Sequence, residues 1–246
     1  MDNLVFSNML HRPARTAVSV LGIAVGVLLI VFTVGLANGT LRENASREGN
    51  VGAEIMVRAS GTMGISGTDP FRLPVGHAQE IARIEGVRTA IAIGQNLVGA
   101  KDTNFGSRLV DGVNWDEYSQ IAGLKLLEGR PPVSGDEAAI DTSWQQSKKI
   151  KVGQTIPVYE REFKVVGVYE PAAGARIKIP LATMQQQLGG EDKCTMILVK
   201  INDPSQVETV MGRIADKFPG EQIFQTKDLE EIYQNAIPAL DVFLDV

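Results

Sequence analysis

No charged side chain occurs between Arg15 and Arg42. Within that window the 21-residue run TAVSVLGIAVGVLLIVFTVGL, residues 16–36, would be about 31 Å long as a helix. A bilayer's hydrocarbon core is about 30 Å thick, so the run predicts a transmembrane helix. A secretory leader would offer small residues, Gly35 and Ala37, before a cleavage point at Asn38. Its apolar core, however, is about 7–15 residues, shorter than this run. An uncleaved anchor is therefore expected. Arg12 and Arg15 flank its start, while Arg42 and Arg47 are balanced at its end by Glu43 and Glu48. By the positive-inside rule the N-terminus is expected in the cytoplasm and the remainder outside it.

Two shorter patterns belong to this membrane end. Val5, Phe6, Met9 and Leu10 fall on one arc of a short amphipathic helix, with Pro13 ending or bending it. Such a helix would lie along the cytoplasmic surface; a frayed terminus is the alternative. Inside the span, Gly22 and Gly26 form a GxxxG pair, with Ser19 one turn earlier on nearly the same face. Small residues at this spacing let a second helix approach closely, although apolar helices also carry the pattern by chance.

Beyond the span the chain reads as a water-soluble domain of mixed structure. The overall net charge is −5, and removing Arg12, Arg15 and Asp2 leaves the remainder more acidic still, which excludes a nucleic-acid footprint. NGTLRENASREGN can continue the helix outward as a stalk. EIMVRA is a strand, the GTMGISGTDPF stretch a flexible loop, VGHAQEIARIEG a helix, and VRTAIAIGQNLVGA a strand. A second strand–helix–strand follows near the other end: MILVKI, then a helix opened by Asp203-Pro204-Ser205 and stopped at Pro219-Gly220, then EQIFQT. Two βαβ units separated in sequence can pair into one split sheet with both helices on one face. Between them lie short strands, EAAI, QTIPVY, REFKVVGVYE and RIKIP, with a tight turn expected at Glu160 to Glu162. LEEIYQNAIPALDVFLDV is helix-like and turns apolar, suggesting the start of a further membrane segment.

Reactive chemistry is sparse. There is no GxxxxGK[ST], HExxH, CxxC or GxSxG, and the only histidines are His11 and His77. His77 opens a helix, where a solvated or capping role is expected. Cys194 heads an apolar run and is expected to be buried, as are Trp115 and Trp144. The acidic pairs Asp136-Glu137 and Glu230-Glu231 are sequence neighbours whose side chains diverge.

The successive motifs HRPARTAVSVLGIAVGV, VDGVNWDEY, LKLLEGRPPVSGDEAAID, KVGQTIPVYEREFKVVGVYEP and ARIKIPLATMQQQLGG carry a resemblance. In this order the chain resembles the permease subunits of MacB/FtsX-type ABC transporters. The resemblance implies an α+β fold: an N-terminal transmembrane helix, then a periplasmic domain of split βαβ (porter-like) units with a small β-rich (sabre-like) insertion. Its layout would be a cytoplasmic amphipathic helix (1–13), transmembrane helix (14–37), stalk (38–53), first porter half (54–110), sabre-like subdomain (111–190), second porter half (191–227) and a stalk (228–246) leading to a second span. Family permeases carry four spans, so three are expected to be missing here. The implied function is a non-catalytic permease subunit in the bacterial inner membrane, without cofactor or metal. It would couple hydrolysis by a separate cytoplasmic ATPase to periplasmic change. Partners would be that ATPase, a second permease protomer, and a periplasmic adaptor or hydrolase. Gly22, Gly26 and Ser19 would pack spans, Phe6, Met9 and Leu10 would meet the ATPase, and Arg12 and Arg15 would set topology. The alternative is a single-pass anchored binding or scaffold protein.

Overall fold

A computed structural model describes residues 13–61, 71–100 and 106–229. The expected cytoplasmic helix with Phe6, Met9, Leu10 and Arg12 lies outside the described residues, as do most of the glycine-rich loop and residues 230–246. The described residues form two units, one ending at Glu43 and one starting at Asn44.

Helix α1 runs from Pro13 to Gly49. From Pro13 to Leu36 it is apolar all round, and none of that stretch is buried. Val18, Ile23, Leu28 and Phe32 are all more than half exposed. A soluble core helix would hide such side chains, whereas an all-round apolar helix suits lipid. Two of its hydroxyls bond back along the helix: Ser19 Oγ donates to the Arg15 carbonyl at 3.1 Å and Thr40 Oγ1 to the Leu36 carbonyl at 2.9 Å.

The second unit is organised by one continuous sheet path. Its strands are β1 (Ile55–Ala59), β2 (Leu73–Pro74), β3 (Val87–Gly99), β4 (Ser107–Val113), β5 (Lys125–Gly129), β6 (Glu137–Asp141), β7 (Thr155–Val158), β8 (Arg161–Glu170), β9 (Ile177–Pro180), β10 (Lys193–Cys194), β11 (Met196–Ile201) and β12 (Glu221–Gln225). The helices are α2 (Gly76–Ile81), α3 (Trp115–Ala122), α4 (Thr142–Lys148), α5 (Leu181–Leu188) and α6 (Val207–Lys217). The strand order is β12-β1-β11-β3-β4-β9-β6-β8-β5, with β7 beside β8 and a separate β10-β2 pair.

The first four strands are the two βαβ units interleaved, each strand antiparallel to its neighbour. Strand alternation then sorts the side chains. The row Ile223, Val57, Ile197 and Ala92 faces α2 and α6, meeting Ala78, Ile81, Val210 and Ile214. The adjacent row Met56, Leu198 and Ile91 is buried on the opposite face. Cys194 is fully buried in the first core, and burial pushes its thiol up to about 12.

Strand β3 is long enough to serve two neighbours, pairing with β11 through Ile93 and with β4 from Gly94 onward. At the switch Gly94 stands opposite Gly112, and α5 lays Met184 over both. A Cβ on Gly94 would meet Met184 Sδ at 2.7 Å and Phe71 Cζ at 2.8 Å, so a larger residue there would have to displace both side chains. Beyond the switch, parallel and antiparallel pairs alternate around a second core of Val110, Ile140, Trp144, Phe163, Val165, Ile177 and Met184.

Two expectations shift. The β7–β8 turn is at Tyr159–Glu160, one residue before the expected Glu160 to Glu162, because Val158 pairs directly with Arg161. Both turn residues take positive φ, 52° and 60°, as a two-residue turn matching strand twist requires. His77 does not cap α2; its ring is 4.6 Å from that of Phe218.

Candidate functional site

The last turn of α1 carries Arg47, only 6% exposed although its sequence surroundings are polar. The guanidinium bonds the Asp141 carboxylate and donates from Nε to the Gly174 carbonyl at 3.0 Å. In return, the Gly174 N–H donates to the Arg47 carbonyl at 2.8 Å. Asp141 is the N-cap of α4, accepting from the Trp144 N–H at 2.6 Å. The pair thus joins the negative end of α1 to the positive end of α4, each charge at the terminus whose dipole favours it.

A second ion pair lies next to it through the same loop. Lys178 sits in β9 with no side-chain exposure, and its ammonium donates to Asp111 Oδ2 at 2.6 Å and to the carbonyls of Ala173 and Ala175, each at 2.7 Å. All three ammonium protons therefore have an acceptor. Asp111, on β4, also accepts from the Ala175 N–H at 2.8 Å and from Gln95 Nε2 at 3.0 Å. The rings of Tyr118 and Tyr169 lie 4.9 and 5.8 Å from the ammonium. Burial lowers the Lys178 pKa, opposed by Asp111. Burial raises that of Tyr169, whose hydroxyl donates to the Ala175 carbonyl at 3.0 Å, and the nearby Asp141 charge adds to this. Gly174 has φ +55°, and a Cβ there would meet Asp111 Oδ2 at 2.5 Å. The loop 171–175 is thus gripped by α1 from one side and by β9 from the other.

The residues that follow α1 are tied elsewhere. Lys200 Nζ donates to the Gly52 carbonyl at 2.6 Å, Thr226 Oγ1 to that of Ala53 at 2.5 Å, and the Ile201 N–H to Glu54 Oε2 at 2.9 Å. These partners belong to β11 and to the turn that follows β12. The end of α1 is therefore bonded through Arg47 to the β6–β9 region and through residues 52–54 to the four interleaved strands. Such an arrangement ties the end of α1 to both parts of the sheet. Among the described residues no group of three or more His, Cys, Asp and Glu could hold a metal.

Of the residues singled out in the sequence, Gly22 and Gly26 stand open on α1, with nothing within 4 Å of an added Cβ. Arg15 is exposed in its first turn. The structure brings none of them to the ionic junction, which sequence reasoning missed. Asp111 and Lys178 were nonetheless detectable as lone charges inside the otherwise apolar strands LVDGV and IKIP.

The family model for the MacB-like periplasmic core domain matches residues 16–217. The chain belongs to that family. Among curated relatives, the macrolide export ATP-binding/permease protein MacB of Mannheimia succiniciproducens is 24% identical over 80% of this chain and 33% of its own length. An uncharacterized ABC transporter permease of Methanocaldococcus jannaschii is 22% identical over 96% of this chain and 63% of its own. The chain thus spans one third of the first relative and less than two thirds of the second. The crystal structure of the periplasmic region of MacB from Actinobacillus actinomycetemcomitans matches with a TM-score of 0.54 at 17% identity, covering 80% of this chain and 98% of that one. The extracellular domain of the noncanonic ABC-type transporter YknZ from Gram-positive bacteria matches with a TM-score of 0.51 at 13% identity, covering 70% and 99%. At these identities the structural likenesses establish the fold of the MacB-like core domain.

Proposed function

We propose that this chain acts as a non-catalytic permease subunit of a MacB/FtsX-type ABC transporter. It would convert ATP hydrolysis on a cytoplasmic ATPase into movement of its extracytoplasmic domain, for export or for mechanical signalling. The observation that carries the reading is α1 itself: one helix that begins as an apolar span and ends, at Arg47, bonded into a MacB-like core domain. A helix of this kind is a lever. Its N-terminus would be cytoplasmic, set by Arg12 and Arg15, and the core domain would lie outside the bacterial inner membrane. Gly22, Gly26 and Ser19 would pack against other spans, including those of a second protomer, and Phe6, Met9 and Leu10 would meet the ATPase. A periplasmic adaptor or hydrolase would receive the motion.

The test is co-purification of the protein, in the form its gene encodes, with a candidate ATPase under mild detergent or in nanodiscs. The expected result is a stable complex whose ATP hydrolysis rate differs from that of the ATPase alone. Absence of association in either medium would sink the reading and leave an anchored scaffold.

A further inference from the structure

The parallel neighbours β4 and β9 end side by side, and each leads into a helix: β4 through Asn114 into α3, and β9 at Pro180 into α5. Outside these strand ends lies an open groove. It consists of two joined cavities of about 440 and 500 Å³, which share Val133, Pro180, Ala182, Gln185 and Asp192. Mixed α/β sheets commonly take ligands outside the carboxyl ends of parallel strands, and cavities of this size fall in the range of binding sites. One wall is the loop between β5 and β6. Pro131 and Pro132 restrict its backbone, and the Val133 N–H donates to Glu137 Oε2 at 3.2 Å, so the wall is held before anything binds. The same wall leaves a large apolar side chain open, since Val133 is 73% exposed.

The charged residues lining the groove are all acidic: Asp116 in the first turn of α3, and Glu191 and Asp192 beyond the end of α5. All three are exposed, and no Lys or Arg lines either cavity among the described residues. Asp192 is fixed at the rim, because its carbonyl accepts from the Val75 N–H at 3.0 Å. Both helices also begin without a side-chain cap, at Asn114 and at Pro180, which leaves the N–H groups of their first turns for another acceptor. An anionic acceptor would be repelled by the carboxylates along the same groove. A peptide carbonyl is neutral and would not.

We propose that this groove binds a short, extended, basic segment of a partner protein. Lysine or arginine side chains of the segment pair with Asp116 and Asp192, its backbone carbonyls meet the first turns of α3 and α5, and an apolar side chain lies against Val133. Charge complementarity of this kind selects the partner and speeds its approach more than it tightens the complex. The partner would lie on the side of the membrane that the proposed function gives this domain. The binding test needs neither that placement nor an ATPase, so the two readings fail separately.

The test uses the full chain in nanodiscs of zwitterionic lipid. The probes are short fluorescent peptides in which a pair of lysines flanks a leucine at varied spacing. Saturable binding above that of empty nanodiscs is expected, weakened by salt and lost when glutamate replaces the lysines. Asp116→Asn combined with Asp192→Asn should weaken binding about three- to tenfold, the worth of a pair of exposed ionic contacts. Both positions are exposed, so an unchanged unfolding midpoint is expected to accompany that loss. Should the double variant fail to fold, Val133→Ala decides: it should weaken binding of the leucine peptides and leave that of glycine-substituted ones unchanged. No saturable binding, equal binding by the folded double variant, or equal binding of the glutamate peptides would each overturn the proposal. So would lysine amide binding as tightly as the peptides, which would assign the groove to small cations. Self-association of the chain that the double variant abolishes would overturn it in favour of a second copy.

Discussion

Lys178 is held in place by full satisfaction of its ammonium, and for that reason its loss is felt through Asp111. Replacing Lys178 by Met strips the charge from one side of a pair in which neither side chain exceeds 2% exposure. Removing one partner of a buried pair costs about 3–5 kcal/mol, mostly from the charge left behind. Adding Asp111→Asn removes that charge while keeping a carbonyl acceptor for the Ala175 N–H. The double variant is therefore expected to regain part of the lost stability, and a double-mutant cycle by denaturant unfolding checks it. Glu137 makes a contrasting case at the surface. Bonds from the Arg130 guanidinium, and secondarily from the Val133 N–H, hold its carboxyl down to about 2 from an ordinary value of 4.5. A lowered carboxylate pKa means that the unfolded chain takes up the proton first as pH falls. The contribution of this pair is thus complete above about pH 4.5 and disappears toward about pH 2. Arg130 is more than half exposed, so the effect is small and weakened by salt. In Glu137→Gln, the part of the acid-induced loss of stability confined to that window should be missing from the unfolding midpoint.

At the scale of elements, the β7–β8 hairpin places Glu160 at φ +60°, a conformation that costs a non-glycine residue about 1–2 kcal/mol. Glycine removes that strain but adds freedom to the unfolded chain, worth about 0.4–1 kcal/mol. Glu160→Gly is expected to stabilise the protein by a few tenths to about 1 kcal/mol, read as a rise in thermal midpoint; a fall would show that the Glu160 side chain holds the turn. The same hairpin shows what could be read in the sequence. Its two strands were visible as alternating apolar runs, but the turn was placed one residue late, because polar residues fill Glu160 to Glu162 and only cross-strand pairing sets the register. Strand β5 went unread since a bulge between Leu126 and Glu128 breaks its alternation and its edge position leaves Leu127 half exposed. The split βαβ units were legible because each is an apolar strand, a helix with apolar residues at helical spacing and a second strand, set off by turn residues such as Gly86 and Pro219-Gly220. The ionic junction was not. Arg47 lies in a stretch that reads as a solvated stalk, and its partner Asp141 lies 94 positions away. Strand pairing and helix ends bring them together, and no local pattern encodes that meeting.

For the whole molecule, the proposed lever makes the junction at Arg47 the point where coupling is lost without loss of assembly. The pair Arg47→Met with Asp141→Asn cuts the side-chain tie to β6 and Gly174, leaves a neutral cap on α4, and spares the hydrogen bonds of residues 52–54 to β11 and Thr226. Spin labels at the exposed positions Asp216, on α6, and Val133, in the loop between β5 and β6, would report movement between the two parts of the domain. In a complex with the proposed ATPase, the unsubstituted protein is expected to change this distance when a non-hydrolysable nucleotide is added. The double variant should still bind the proposed ATPase, because no substituted residue belongs to the proposed cytoplasmic end, yet its label distance should stay fixed. An equal nucleotide-dependent change in both proteins would mean that the linker at 50–54 carries the motion alone, and that Arg47 only stabilises the fold. The two roles separate because a purely stabilising residue lowers the unfolding midpoint in the absence of nucleotide and leaves the amplitude of the movement intact.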